Sequence, residues 1–123
     1  MDKNVDNFIC IVQLLYLYLL LIKQLNIMKT FKDLKFEKKW NGVGSNYTFD
    51  NGITLSVQAG SGLYSTPRED HSSADDYSSF EIAIWNEKGE WITQDIVPTQ
   101  DGEVKGWVSR DEINAIISII KSK

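Results

Sequence analysis

Two tryptophans, Trp85 and Trp91, are the side chains of this 123-residue chain best suited to binding a partner. They flank Glu87-Lys88-Gly89, and a hairpin with this three-residue loop sets the two indoles opposite each other. Paired indoles on an otherwise polar sheet face can bind a protein, a base or a sugar ring. The alternative is that the long loop before the hairpin, or Trp107 and its neighbours, covers them.

A second set of candidate binding residues is acidic. The polar stretch Ala59–Ser79, rich in Ser and Gly, carries the carboxylates of Glu69, Asp70, Asp75 and Asp76. Such charges can imitate phosphates against a basic surface. His71 lies among them, but the spacing matches no metal loop and no rigid triad is visible, so we predict neither metal binding nor Ser-His-Asp catalysis. A connection of about 20 residues without secondary structure is often functional or disordered.

Charge and motifs exclude several function classes. The chain carries 13 Lys and Arg against 17 Asp and Glu, a net charge of −4, whereas a protein that binds duplex nucleic acid presents a basic face. Gly60-Ser61-Gly62 lacks the lysine and the following helix of a phosphate-binding loop. Because no nucleophile–base pair and no set of metal ligands stands out, we predict a protein that is not an enzyme and uses no cofactor.

The amino-acid composition changes sharply at Met28. Residues 1–27 contain no Gly, Pro, Ala or Arg, whereas all eight glycines, both prolines and all four tryptophans follow Met28. We expect a single domain over residues 28–123, preceded by an apolar leader, residues 1–27, of the kind that AT-rich DNA encodes when it is read ahead of the true start. A membrane anchor is the alternative, although the apolar run 8–22 is shorter than the roughly 20 residues of a spanning helix. A signal peptide fits less well, because the start is acidic and no small-residue cleavage site follows.

Alternating apolar and polar residues predict an antiparallel hairpin over Tyr47–Val57. A three-residue loop, Asp50-Asn51-Gly52, pairs Phe49 with Ile53 and Tyr47 with Leu55, so that all four side chains share one face. A two-residue turn would mix the apolar and polar sets. Gly52 then occupies the left-handed position that ends such loops.

The same rule predicts a second hairpin over Phe80–Ile96. Its loop, Glu87-Lys88-Gly89, pairs Ile84 with Ile92 and Phe80 with Ile96. Trp85 and Trp91 then lie on the more polar face. A first strand is expected over Lys32–Lys39, followed by a turn over Asn41–Gly44.

The C-terminal segment is predicted to be a helix. Ser109-Arg110-Asp111-Glu112 has the pattern of a capping box, and an apolar stripe recurs at helical spacing through Ile113, Ile116, Ile117 and Ile120. The stripe should pack on the isoleucine face of the sheet, because neither element is stable alone. The predicted fold class is α+β: an antiparallel β-meander of four to five strands with one C-terminal helix packed on one face, to which the leader would add an apolar N-terminal helix.

Four segments of the chain follow one another in a recognisable order. They are Thr30-Phe31-Lys32-Asp33-Leu34-Lys35-Phe36, Phe49-Asp50-Asn51-Gly52-Ile53-Thr54-Leu55-Ser56-Val57, Phe80-Glu81-Ile82-Ala83-Ile84-Trp85, and Gly106-Trp107-Val108 with the isoleucine-rich helix. Residues 28–123 thereby resemble a family of small uncharacterised proteins of tailed bacteriophages. Members start where Met28 lies and have a shorter loop than residues 60–79. The resemblance implies an accessory factor that binds host proteins, and it brings no catalytic residues.

These observations favour a non-enzymatic phage or prophage accessory protein that binds a protein of the host or the phage in the host cytoplasm. One version is an inhibitor of host defence of the anti-CRISPR kind. The candidate binding residues are Trp85, Trp91, Glu69, Asp70, Asp75 and Asp76. Two alternatives stay open: a small-ligand-binding module that stacks a ring on the tryptophans, and a membrane-anchored protein held by residues 8–27.

Overall fold

The computed structural model describes residues 3–26, 30–99 and 101–123. Its five strands form one antiparallel sheet in chain order: β1 Glu37–Lys39, β2 Gly42–Thr48, β3 Thr54–Gly60, β4 Phe80–Trp85 and β5 Val104–Val108. The described residues also form the helices α1 Lys3–Asn26, α2 Thr93–Ile96 and α3 Arg110–Lys121, and 3-10 helices at Phe31–Asp33 and Ala74–Asp76. The predicted α+β meander with a C-terminal helix is confirmed.

The β2–β3 hairpin has the predicted register. Tyr47 pairs with Leu55, and the Phe49 amide donates to the Ile53 carbonyl over 2.8 Å. Gly52 adopts φ +84°, a backbone conformation that glycine tolerates best. Phe49, Ile53 and Leu55 are buried and Tyr47 packs against them, so the apolar alternation identified both the loop and the face.

The first strand and the first turn differ from the prediction. Residues 31–33 form a 3-10 helix, and only Glu37–Lys39 is a strand. The Asp33 carboxylate accepts the Thr30 amide over 2.9 Å, a capping contact that favours a helical turn at this point. The expected turn over Asn41–Gly44 is wrong because β2 already begins at Gly42, which pairs with Lys39 on one side and Gly60 on the other.

The second hairpin follows the prediction near its loop and departs from it afterwards. The Ile92 amide donates to the Ile84 carbonyl over 2.8 Å, as the three-residue loop requires. The chain then turns into α2, and Phe80 pairs with Val108 of β5, so the predicted pairing with Ile96 is wrong. At this point the hydroxyl of the fully buried Thr93 replaces a backbone partner of β4. It accepts a hydrogen bond from the Ile84 amide over 2.9 Å and donates one to the Glu103 carbonyl over 2.6 Å.

The core lies between one face of the sheet and α3. The predicted stripe is buried in the same cluster as the apolar side chains of β4: Ile113, Ile116, Ile117 and Ile120 with Phe80, Ile82 and Ile84. The Ser109 hydroxyl accepts the Glu112 amide over 3.2 Å, as the capping pattern predicts. Since α3 covers this face, the other face of the sheet is the one that can receive a partner.

The described side chains of α1, Cys10–Leu21, are exposed, and none of them belongs to the core cluster. Apolar members such as Leu14 and Leu19 are more than half exposed, at 63% and 62%. Among the described residues, no helix combines the length and the apolar character that crossing a bilayer requires. The predicted start at Met28 lies outside the described residues, as do residues 1, 2, 27, 29 and 100.

Candidate functional site

The face of the sheet opposite α3 is the candidate binding surface, and we call it the open face. Cross-strand partners share a face, so the pairs Asn46–Ser56 and Ser56–Ala83 lie on it together with Trp85, the partner of Thr54. A depression of about 380 Å³ on this face is lined by Asn46, Ser56, Gln58, Glu81, Ile82, Ala83, Trp85, Trp91 and Val104. The open face therefore combines polar side chains from β2, β3 and β4 with an aromatic end.

Trp85 and Trp91 form the aromatic end of the open face. An antiparallel bridge pairs them, and their ring centroids lie 5.9 Å apart with the planes inclined by 53°. Trp85 is partly buried, whereas the side chain of Trp91 is 52% exposed. Trp107 and the loop before β4 do not line the depression beside the pair, so the alternative in which they cover both indoles does not hold for Trp91.

Glu81 is the carboxylate in the middle of the open face. It lies on β4 opposite Gln58 of β3 and is partly buried. Burial raises the pKa of Glu81 above its usual value; the Arg68 guanidinium opposes that rise, and the Asp101 carboxylate adds to it. The open face thus holds one carboxyl whose charged form is disfavoured by its surroundings.

The four acidic side chains of the long loop fall into two groups. Asp70 forms an ion pair with Lys38 over 2.7 Å, and a Glu69 carboxylate oxygen lies 3.1 Å from Nε2 of His71. Asp75 and Asp76 lie on a 3-10 helix, where the Ser73 hydroxyl accepts the Asp75 amide over 3.2 Å. All four are exposed, and Lys38 offsets part of the negative charge of the first group.

The long loop is ordered around a buried tyrosine. Tyr77 is 2% exposed, and its hydroxyl donates to the Glu69 carbonyl over 2.7 Å while accepting the His71 amide over 2.8 Å. The Arg110 guanidinium of α3 donates to the Ala74 carbonyl over 3.0 Å. These contacts hold the loop on the domain, so it is neither disordered nor free to reach across the open face.

A second aromatic pair, Tyr64 and Trp107, is not foreseeable from the sequence. The ring centroids lie 5.1 Å apart, and the Trp107 amide donates to the Tyr64 carbonyl over 2.9 Å. The Arg68 guanidinium lies 5.2 Å from the centroid of the Tyr64 ring. The two residues belong to distant segments that no local pattern connects. The one local sign of a close contact is Gly106, next to Trp107, where a Cβ atom would lie 2.6 Å from the Tyr64 Cβ.

Among the described residues, no three His, Cys, Asp or Glu side chains come together as the ligands of a metal ion would. Comparison of the chain with family models, with curated proteins and with solved structures finds no match.

Proposed function

We propose that this chain is a non-enzymatic binding protein that docks on another protein through the open face of its sheet. The observation that carries the proposal is Trp91, which is 52% exposed beside Trp85 on the face that α3 leaves uncovered. Tryptophan is enriched among the residues that dominate binding energy at protein interfaces. Ser56 and Ala83 are small and buried beneath this surface, so the side chains that a partner would meet around Trp91 are the larger, partly exposed ones such as Gln58 and Glu81.

A protein partner suits this face better than a small ligand. Small ligands bind in enclosed pockets that bury most of their surface. The depression beside Trp91 holds about 380 Å³, near the lower end of the range for ligand pockets, and is smaller than the cavity of about 620 Å³ on the other side of Val104. A ring stacked on Trp91 is the second candidate, favoured by the free area of that indole, and the experiment below separates the two.

The phage and host-defence part of the proposal rests on the resemblance of residues 28–123 and on the acidic loop. In that version Glu69, Asp70, Asp75 and Asp76 imitate phosphate charge in front of a basic channel. The ion pair of Asp70 with Lys38 reduces the charge available for this purpose, so Asp75 and Asp76 would contribute most. The double variant Asp75→Lys, Asp76→Lys tests this version, because unchanged partner binding after the charge reversal would rule it out.

Capture from bacterial lysate followed by reconstitution tests the open face directly. Immobilised wild-type protein, Trp91→Ala and Trp40→Ala are compared by quantitative mass spectrometry. Trp40 is the matched control, because it is 89% exposed in the β1–β2 turn, at the far edge of the sheet from β4. We expect wild type and Trp40→Ala to retain a partner from the lysate. The purified partner should bind Trp91→Ala roughly 30-fold more weakly than wild type, which is the effect expected when a tryptophan at the centre of an interface is removed.

Two results would contradict the proposal. Equal retention of the partner by all three proteins would move the docking surface away from Trp91. No captured protein, together with tryptophan fluorescence that responds to a panel of nucleotides and sugars in wild type but not in Trp91→Ala, would favour the small-ligand module instead.

A further inference from the structure

A cavity of about 620 Å³ lies beside Trp107, next to the open face but separate from the Trp85–Trp91 pair. Its lining is Tyr64, Pro98, Thr99, Asp101, Val104, Lys105, Gly106 and Trp107. Val104 also borders the depression of the open face, so the two sites are neighbours. The volume is within the range of pockets that bind small organic ligands.

The wall formed by Trp107 is held in an unfavourable backbone conformation. Trp107 has φ +53°, in the left-handed region that bulky residues avoid, next to the irregularity in the β4–β5 pairing. Gly106 permits the arrangement, because a Cβ atom at this position would lie 2.6 Å from the Tyr64 Cβ. Glycine or asparagine would adopt the conformation of Trp107 at lower cost, yet an indole stands there and is 55% exposed. Backbone strain of this kind clusters at functional sites.

The polar groups of the cavity are balanced in charge. The Asp101 carboxylate accepts the amides of Glu103 and Val104 over 3.0 and 3.2 Å, which fixes it and lowers its pKa, so it is an ionised acceptor. The Lys105 ammonium makes one long bond, 3.5 Å, to the Pro98 carbonyl and can donate further. One fixed acceptor and one available donor thus stand beside the indole.

This balance selects the class of ligand. A cationic ligand would compete with Arg68, which already lies 5.2 Å from the Tyr64 ring, and would be repelled by Lys105. An anion would face the ionised Asp101 in a chain whose net charge is −4. An uncharged ring with one apolar C–H face and hydroxyl groups at its rim matches the indole face, the acceptor and the donor together.

We propose that the cavity beside Trp107 binds a sugar ring of a neutral glycan. The C–H face of the sugar lies on the Trp107 indole, one hydroxyl donates to Asp101, and another accepts from Lys105. This site shares Val104 with the border of the open face and differs from it in its other lining residues and in its ligand. Each can be present without the other.

The four tryptophans make the test specific, because each indole N–H gives its own signal in a nitrogen–proton NMR spectrum. The full-length protein is titrated with glucose, galactose, mannose, N-acetylglucosamine and their disaccharides, each to roughly 20 mM, which detects millimolar dissociation constants. Choline and inorganic phosphate serve as charged probes. We expect at least one neutral sugar to shift the Trp107 signal saturably while the Trp40 signal stays in place.

Two variants complete the test. Trp107→Asn keeps a residue that tolerates the left-handed conformation, so the fold is retained, and the affinity for the sugar should fall at least about tenfold. Trp40→Ala is the control and should bind as wild type does. The proposal is overturned if no neutral sugar shifts Trp107, if Trp107→Asn binds unchanged, if a charged probe binds more tightly, or if the shifts fall on Trp85 and Trp91 alone.

Discussion

At the scale of single residues, the buried hydroxyl of Thr93 marks the point where β4 stops pairing with the second strand of its own hairpin and begins to pair with β5. Thr93 follows the last residue that continues the second hairpin, and its Oγ1 replaces a backbone acceptor for the Ile84 amide. The same atom donates to Glu103, the residue before β5. Pattern reasoning treats Thr93 as one more polar strand residue, because its role depends on a carbonyl ten positions away. The hairpin loop was predictable from neighbouring residues, whereas the change of pairing partner along β4 was not.

Replacement of Thr93 by valine removes that hydroxyl at nearly constant shape. The buried Ile84 amide and Glu103 carbonyl then lose their partner, and we expect a loss of about 1–3 kcal/mol in the free energy of unfolding. Urea denaturation measures it. Thr48→Val is the control, because it removes one neutral hydrogen bond from an exposed residue, so its loss should stay near the low end, about 0.5–1 kcal/mol, and below that of Thr93→Val. Equal losses in the two variants would show that the buried hydroxyl has no special role.

Glu81 gives the domain a dependence on pH. Its folded pKa is raised above the ordinary value of 4.5, so the folded protein holds this proton more tightly than the unfolded chain. The free energy of unfolding therefore falls as the pH rises from below 4.5 through the folded pKa. Glu81→Gln lacks this titration, and we expect it to gain stability relative to wild type as the solution approaches neutrality. Denaturation curves from about pH 3 to about pH 8 check this, and a constant difference between the two proteins would contradict it.

At the scale of elements, local signals succeeded where the contacts are local. Gly52 and Gly89 each end a three-residue hairpin loop with positive φ, as the apolar alternation requires. β5 was not predicted, because its place beside β4 depends on distant partners: Thr93 at one end and Tyr64 at the other. For the same reason the Trp85–Trp91 pair could be predicted as neighbours across a loop, whereas the Tyr64–Trp107 pair could not.

The cap of α3 provides a test at this scale. Ser109→Ala removes the side-chain acceptor of the Glu112 amide, and we expect a loss of about 1 kcal/mol in the free energy of unfolding. Ser118→Ala, at an exposed position inside the same helix, should instead raise stability by about 0.5 kcal/mol, because alanine is the better helix former. Thermal and urea denaturation of both variants would show opposite signs. A gain in stability for Ser109→Ala would contradict the capping role.

At the scale of the whole molecule, the core cluster of the described residues lies in the segment that follows Met28. The core cluster begins with Phe31 and Leu34 and includes none of the described α1 side chains. The first described residue of the core cluster, Phe31, therefore lies shortly after the break in composition at Met28. The sequence predicted the β3 and β4 residues of the open face. It did not predict β5, the strand that borders this face beside β4.

Two truncations test this arrangement. Removal of residues 1–27 should change the free energy of unfolding by less than about 0.5 kcal/mol, since none of the described side chains that it removes belongs to the core cluster. Removal of residues 1–36 also deletes Phe31, Leu34 and Phe36, and the loss of several core side chains at about 2–5 kcal/mol each should leave the domain unfolded. Circular dichroism and urea denaturation distinguish the two. Unfolding of the shorter truncation would assign α1 a structural role.

The alternation of side chains in β3 and β4 has a consequence for how this protein can change over generations. Leu55, Val57, Ile82 and Ile84 point to α3, and the intervening Ser56, Gln58, Glu81 and Ala83 point away from it. Substitutions in the second set leave the side chains that pack on α3 in place, and the freest positions are Gln58 and Glu81, because Ser56 and Ala83 are buried. A lineage carrying this fold could therefore vary the surface through which we propose that it binds while inheriting the same foldable framework.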